Sequence, residues 1–299
     1  MTATGKNEDT RGRVVVGFDG SEPSFRALDR AAEEAVRRGT ALEVLCGWPW
    51  NPPPLPGETP HEPPTLAEET QAMVGQAVEK VRAAHPGLEV IPVTTSEAVV
   101  PALVRHSETA ALTVLGTRGH GGFTGLLLGS VSLRVAAHSA SPLMVVRGEA
   151  ADGAAHGRVL VGVESDQDGD AVRFAFEEAS RRGARLRALH AWLYPALPTG
   201  AYMGAFDVPP KEGDERRKEA EALPRYEVAP FRKDFPDVEV IPDNECNAAA
   251  PALVEASRTA DLIVLATHRT HRHLGLQLGP VTQAVLHHAH CPVVLVPTD

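Results

Sequence analysis

A long stretch of this chain occurs twice. Arg13 to Trp48, RVVVGFDGSEPSFRALDRAAEEAVRRGTALEVLCGW, returns as RVLVGVESDQDGDAVRFAFEEASRRGARLRALHAW from Arg158 to Trp192. Later parts follow suit. ETAALTVLGTRGH from Glu108 returns as RTADLIVLATHRTH from Arg258, and SPLMVVR from Ser141 returns as CPVVLVP from Cys291. A spacing of about 145 to 150 residues is that of a whole domain rather than of a short-repeat solenoid. The chain is therefore read as a tandem duplication, with a flexible N-terminus at 1–12, a first domain at 13–149, a linker at 150–157 and a second domain at 158–299. Its 299 residues, 43% of them hydrophobic, suffice for two cores.

Within each copy, short apolar runs alternate with helical patterns. In the first, strands are expected at Val14 to Phe18, Leu42 to Cys46, Leu88 to Val93, Leu112 to Leu115 and Leu143 to Val146. Helices are expected at Glu22 to Arg38, Leu66 to Ala84, Glu97 to Ser107 and Ser130 to His138, with a proline-rich loop from Pro49 to Pro64. The second copy repeats the strands near Val159 to Val163, Leu186 to His190, Val238 to Ile241, Leu262 to Leu265 and Val293 to Val296. Lys211 to Lys233, the most charged segment, reads as a solvated helix. Strands alternating with helices predict an α/β fold, a parallel sheet with helices on both faces.

One stretch of the first copy points to chemistry. In ALTVLGTRGHGGFTGLLLGSV, Ala111 to Val131, an uncharged apolar run ends in a turn rich in glycine: Gly116, Gly119, Gly121, Gly122 and Gly125. Missing Cβ atoms let successive backbone N–H groups converge on an anion. Gly129-Ser130 then opens a helix, with Ser130 expected as its N-cap. Strand, glycine turn and helix N-terminus together form a phosphate cradle; a merely flexible surface loop is the competing reading.

The spacing Gly116-x2-Gly119-x9-Gly129-Ser130 resembles the G-x2-G-x9-G-[ST] pattern of the ATP-binding universal stress proteins, and the resemblance extends over both copies, nearly all of Arg13 to Pro297. It implies two tandem doubly wound domains, each a five-stranded parallel sheet of order 3-2-1-4-5. Ligands of such sheets bind where the order reverses, outside the carboxyl ends of the strands. By motif, Asp19 matches the acidic residue that contacts the nucleotide near its ribose, supported by Gly17 and Phe18. Gly47 matches the position where backbone groups meet adenine, although the family usually carries a small apolar residue there. Gly116, Gly119, Gly129, Ser130 and Val131 match the ribose- and phosphate-binding loop. For Asp19 the alternative is a turn or capping residue before the helix.

The second copy departs where the motif matters. Glu164 stands for Asp19, Ser165-Asp166 for Gly20-Ser21, Ala266 for Gly116, Arg269 for Gly119 and Pro280 for Ser130; Gly279 alone retains the pattern. Proline removes a backbone donor together with the serine hydroxyl, and the arginine puts a long side chain where backbone had to approach phosphate. The second copy is not expected to bind ATP in the same way.

Charge and cysteines narrow the classes further. The net charge of −10 is shared by both halves, with no basic block, which argues against a nucleic acid or anionic membrane partner. The polar N-terminus is no secretory signal and apolar runs fall short of membrane length, so a cytoplasmic location is expected. Cys46, Cys246 and Cys291 are odd in number and lack CxxC spacing, which suits a reducing compartment. His268, His271, His273, His287, His288 and His290 invite a metal, but loop and helix-end histidines account for them, and no metal is expected.

The function expected is that of an ATP-binding regulatory protein of the stress response, with Mg²⁺ as companion ion, an unidentified client protein and a homodimeric state. Two alternatives remain open: a slow Mg²⁺-dependent ATP hydrolase, influenced by His120, and a dimeric scaffold that binds no nucleotide. Transfer chemistry would need charge neutralisation on the moving phosphoryl group. No G-x4-G-K-[ST] loop is present, and Lys6, Lys80, Lys211, Lys218 and Lys233 all lie outside the glycine turn.

Overall fold

The computed structural model describes residues 12–47, 66–119, 128–147, 155–193, 210–268 and 278–298. The proline-rich loop and His120 lie outside these residues, as do Arg269, His271 and His273 and the N-terminus through residue 11. The described residues up to Arg147 belong to one compact unit, and those from Ala155 onward to a second.

In the first unit the elements run β1 (Val14–Gly17), α1 (Glu22–Arg38), β2 (Leu42–Gly47), α2 (Leu66–Ala84), β3 (Val90–Thr95), α3 (Val99–Ser107), β4 (Leu112–Gly116), α4 (Ser130–His138) and β5 (Leu143–Val146). The strands pair in the order β3-β2-β1-β4-β5, all parallel. The order reverses at β1 and β4, where Val14 pairs with Leu42 on one side and Leu112 on the other. Both strands are almost wholly buried, which is why they read as unbroken apolar runs rather than alternating ones.

Helix α1 shows how local sequence sets its bounds. Ser21 is an extended N-cap whose side chain accepts from the Ser24 N–H, and Pro23 lies in the first turn, where its missing donor costs nothing. Gly39 stops the helix in a left-handed conformation, φ 63°, its N–H turned back to the Ala35 and Val36 carbonyls. Ala27, Leu28, Ala31, Ala32 and Ala35 are buried along one face, which packs on β1, β4 and β5.

The second unit repeats the plan. β6 (Arg158–Gly162), α5 (Gly169–Arg182), β7 (Arg185–Trp192), α6 (Pro210–Val228), β8 (Val240–Cys246), α7 (Ala249–Ala256), β9 (Leu262–His268), α8 (Pro280–His288) and β10 (Val293–Thr298) form a parallel sheet of order β8-β7-β6-β9-β10. Two differences from expectation stand out. A 3₁₀ turn, Asp166–Asp168, precedes α5, because Ser165 and Asp168 close a reciprocal capping box. Helix α6 is not wholly solvated: Ala220 and Val228 are buried, and Glu227 is only 7% exposed.

Candidate functional site

Several expected site residues of the first unit meet at the carboxyl ends of β1 and β4. Asp19 is exposed just beyond β1, and its Oδ1 accepts the Ser21 N–H at 3.0 Å and the Ser21 hydroxyl at 2.6 Å. One carboxylate oxygen thus serves the turn into α1. The other faces Gly119: a Cβ built on Gly119 would overlap Asp19 Oδ2. The turn contacts expected of Asp19 thus use one oxygen and leave the other beside Gly119. Gly116 is close-packed too, and a Cβ there would lie 2.6 Å from the Pro23 carbonyl oxygen.

The start of α4 returns to the same place. The Gly129 N–H donates to the Thr117 carbonyl at 2.6 Å, which ties the helix N-terminus to the segment leaving β4. Here one expectation is corrected. The N-cap is Gly129, in extended conformation and with its carbonyl accepting from the Leu133 N–H, whereas Ser130 is the first helical residue. Ser130 is exposed and Val131 half-buried in that first turn.

Gly17, Phe18 and Gly47 sit one layer back. A Cβ on Gly17 would run into the Leu115 side chain, so this position lets β1 lie close against β4. Phe18 is 3% exposed and meets Phe25 edge-on at 5.0 Å, a contact that anchors the turn rather than a wall of the crevice. Gly47 ends β2, where a Cβ would be 3.3 Å from the Glu97 carbonyl oxygen and from Val99 Cβ.

Three further residues belong to the site and were not singled out from sequence. The Ser132 hydroxyl donates to the Gly116 carbonyl at 2.7 Å, locking α4 to the end of β4. Cys46, buried at the end of β2, has its thiol pushed up to about 11 by burial and then by the negative charge of Asp19. Arg147 follows β5, whose Val146 pairs with Gly116. Burial first and the neighbouring Arg118 second lower its hold on its proton, so two guanidinium groups face one another's field beside the glycine segment. The repeat carried a signal for this residue: SPLMVVR ends in Arg147, while CPVVLVP ends in Pro297.

The second unit lacks most of this arrangement. Glu164 is exposed beyond β6, and Asp168 Oδ2 accepts the Glu164 and Ser165 N–H groups at 2.6 and 3.0 Å, so the turn is closed by its own carboxylate. A Cβ on Gly279 would meet nothing within 4 Å, and Pro280 begins α8. Among the described residues no group of three or more His, Cys, Asp or Glu side chains could hold a metal ion, and no helix is long and apolar enough to cross a membrane.

Fold and site together define a duplicated doubly wound α/β protein whose first copy presents a close-packed glycine cradle at the sheet's reversal point. The chain belongs to the universal stress protein family, which matches residues 10–147 and again 156–297. A universal stress protein of Mycobacterium tuberculosis is 32% identical over 315 residues, covering 96% of each chain. One from Mycolicibacterium smegmatis is 31% identical over 300 residues, with 95% of this chain and 96% of its own covered. The crystal structure of a universal stress protein from Archaeoglobus fulgidus shares the fold, with a TM-score of 0.67 at 19% identity over 97% of this chain and 98% of that one.

Proposed function

We propose that the first unit binds ATP, with Mg²⁺, in the crevice between β1 and β4, and that the bound nucleotide regulates contacts with a client protein or a second copy of the chain during stress. The observation that carries this reading is the approach of the Gly119 backbone to the Asp19 carboxylate, so close that a Cβ would overlap it. A flexible loop has no need of such an approach, whereas a phosphate cradle does.

In this reading Asp19 holds the ribose and Gly47 the base. The backbone of Gly116 and Gly119, with Gly129, Ser130 and Val131 at the start of α4, receives the phosphates. The helix N-terminus contributes free N–H donors and the positive end of its dipole, and α4 has nine residues to supply it. Arg118 and Arg147 add positive charge, which an acidic chain needs locally if it is to hold a polyphosphate. Bound ATP supplies a charged ligand whose presence or absence is the signal.

The test is to purify the full chain without added nucleotide, denature it and count adenine nucleotide released per chain, beside a Gly119→Arg variant. The expected result is about one ATP per chain, reduced at least about a hundredfold in affinity in the variant, or ~2.7 kcal/mol. No nucleotide, and no binding when ATP and Mg²⁺ are added back, would overturn the proposal. Two per chain would place ATP in the second unit as well and refute the single-site reading.

A further inference from the structure

One contact of the first unit reaches the Asp19 turn from a neighbouring helix. Gly20, between Asp19 and Ser21, has φ 79°, in the left-handed region that favours glycine. On its open side lies Met73 of α2: a Cβ built on Gly20 would stand 2.5 Å from Met73 Sδ, 3.6 Å from Cγ and 3.7 Å from Cε. The thioether therefore rests on the Gly20 backbone, in the space that a side chain there would take. Gly20 and Met73 are both half-buried, so solvent reaches each of them.

The turn passes on what happens at Gly20. Asp19 Oδ1 accepts the Ser21 N–H and hydroxyl, so residues 19–21 close into a small ring around Gly20, and Asp19 Oδ2 faces Gly119. Two helical turns further along α2, Lys80 places its ammonium 5.2 Å above the Phe25 ring and 3.8 Å from Asp29 Oδ1. Met73 and Lys80 thus share a face of α2 that meets the Asp19 turn and the first turns of α1.

Met73 is also chemically apart from its counterparts. A thioether is apolar, and a peroxide converts it to a polar sulfoxide. Met144 in β5 is 0% exposed. In the second unit, buried Ala220, Glu227 and Val228 of α6 repeat in step the buried Thr70, Ala77 and Val78 of α2, which sets Leu223 at the place of Met73. Leucine fills similar space and has no sulfur to oxidise, and that unit closes its turn with Asp168 instead.

We infer that Met73 is an oxidation site through which hydrogen peroxide loosens the Asp19 turn of the first unit. A sulfur lone pair attacks one peroxide oxygen; the S–O bond forms as the O–O bond breaks, the sulfur is oxidised to the sulfoxide, and the other oxygen is reduced and leaves as water with both hydrogens. The new oxygen is a polar acceptor on an atom that was packed against backbone, and burying it without a donor is costly. Helix α2 and the turn part to let water reach it, and Asp19 loses its fixed place beside Gly119. The consequence for a nucleotide rests on the crevice reading proposed above; the oxidation and the loosening of the turn do not.

The experiment treats the native full chain with hydrogen peroxide, following each methionine by peptide mass and residues 19–24 by amide hydrogen exchange. Met73 is expected to gain its oxygen at least about tenfold faster than Met144, and exchange over residues 19–24 to quicken about tenfold or more as it does so. Met73→Leu, which imports the second unit's residue and keeps every cysteine and the other methionines, is expected to show unchanged exchange after the same treatment. Met73→Gln, a polar side chain of similar length, is expected to quicken exchange without oxidant. ATP affinity is expected to fall several-fold on oxidation of the native chain and to hold in Met73→Leu. Oxidation of Met73 no faster than that of Met144, unchanged exchange after its oxidation, the same response in Met73→Leu, or unchanged affinity in an oxidised chain that binds ATP would each overturn the inference. A chain that binds no ATP would refute the proposed nucleotide site, and the exchange measurements would still decide the role of Met73.

Discussion

The two units share a scaffold and differ at its mouth. Each buries a glutamate on its first helix beneath arginines: Glu34 is met by Arg30 at 3.1 Å, by Arg37 at 3.0 Å and by Arg38, and Glu178 by Arg181 at 2.9 Å and by Arg182. Both carboxylates are fully buried. At the strand ends the likeness stops. The first unit brings Asp19 and Gly119 together and places Arg147 nearby, while the second closes its turn with Asp168 and gathers Glu164, Asp166 and Glu227. The two copies keep the same buried charge cluster on the first helix and differ at the exposed strand ends.

This clamp of arginines on a buried glutamate carries the largest expected effect. Glu34→Ala and Glu178→Ala are each expected to cost the unit that carries them about 3–5 kcal/mol, because removal of one partner leaves buried arginine charge behind. Arg26→Ala, which breaks a solvent-facing pair with Glu22, is expected to cost no more than about 1 kcal/mol. Urea unfolding midpoints distinguish the cases. If Glu34→Ala proved as mild as Arg26→Ala, the clamp would not be the common structural element.

The cysteines probe the first unit's crevice. With its thiol raised from the ordinary 9.0 to about 11, Cys46 should hold about a hundredfold less thiolate than an unperturbed thiol at the same pH. In the native chain a disulfide-exchange reagent at mildly alkaline pH is expected to label exposed Cys246 rapidly, with Cys46 and Cys291 following only on unfolding. Labelling of Cys46 at the rate of Cys246 would mean that the crevice floor is open to solvent and that Asp19 does not bear on it.

The smallest expected effect lies in the second unit. Burial, and then Asp166 and Asp168, raise the proton affinity of Glu227 above that of an ordinary carboxyl. Its folded form therefore binds more protons than the unfolded chain between the ordinary carboxyl value and the raised one, and stability falls as pH rises through that window. Above the window the cost is fully present; below the ordinary value it is gone. Glu227→Gln is thus expected to raise the second unit's unfolding temperature at neutral pH by a few degrees at most, with the gain vanishing near pH 4. A gain that persisted in acid would show that charge is not its origin.

Much of this was legible in the chain. Helices α1, α2 and α4 begin and end at the expected residues, since an N-cap serine, a stop glycine and helical periodicity are local signals. The sheet order followed from the resemblance carried by the glycine motif. The outer strands were placed less well: β3 runs Val90–Thr95 rather than Leu88 to Val93, and β8 continues to Cys246 rather than ending at Ile241. Both are half-exposed, and their extent is set by pairing with β2 and β7. The polar end of β8 is held by Arg187, which meets Asp243 at 2.7 Å and Glu245 at 3.0 Å. Helix α3 starts two residues later than expected, because the Glu97 N–H is held by Thr95 Oγ1 and Ala98 stays extended.

By itself the sequence determined the duplication, the alternation of strand and helix, and the glycine spacing that follows the fourth strand, because repeats, periodicity and spacing are written along one dimension. Only the tertiary structure decided that one oxygen of Asp19 turns inward to Ser21 while the other confronts Gly119, that Gly129 rather than Ser130 caps α4, and that Ser132 and Arg147 join the site. It alone laid Met73 of α2 against Gly20. Those facts depend on which strand lies beside which and on where each side chain's last atom falls, and neither is fixed until the elements are packed together.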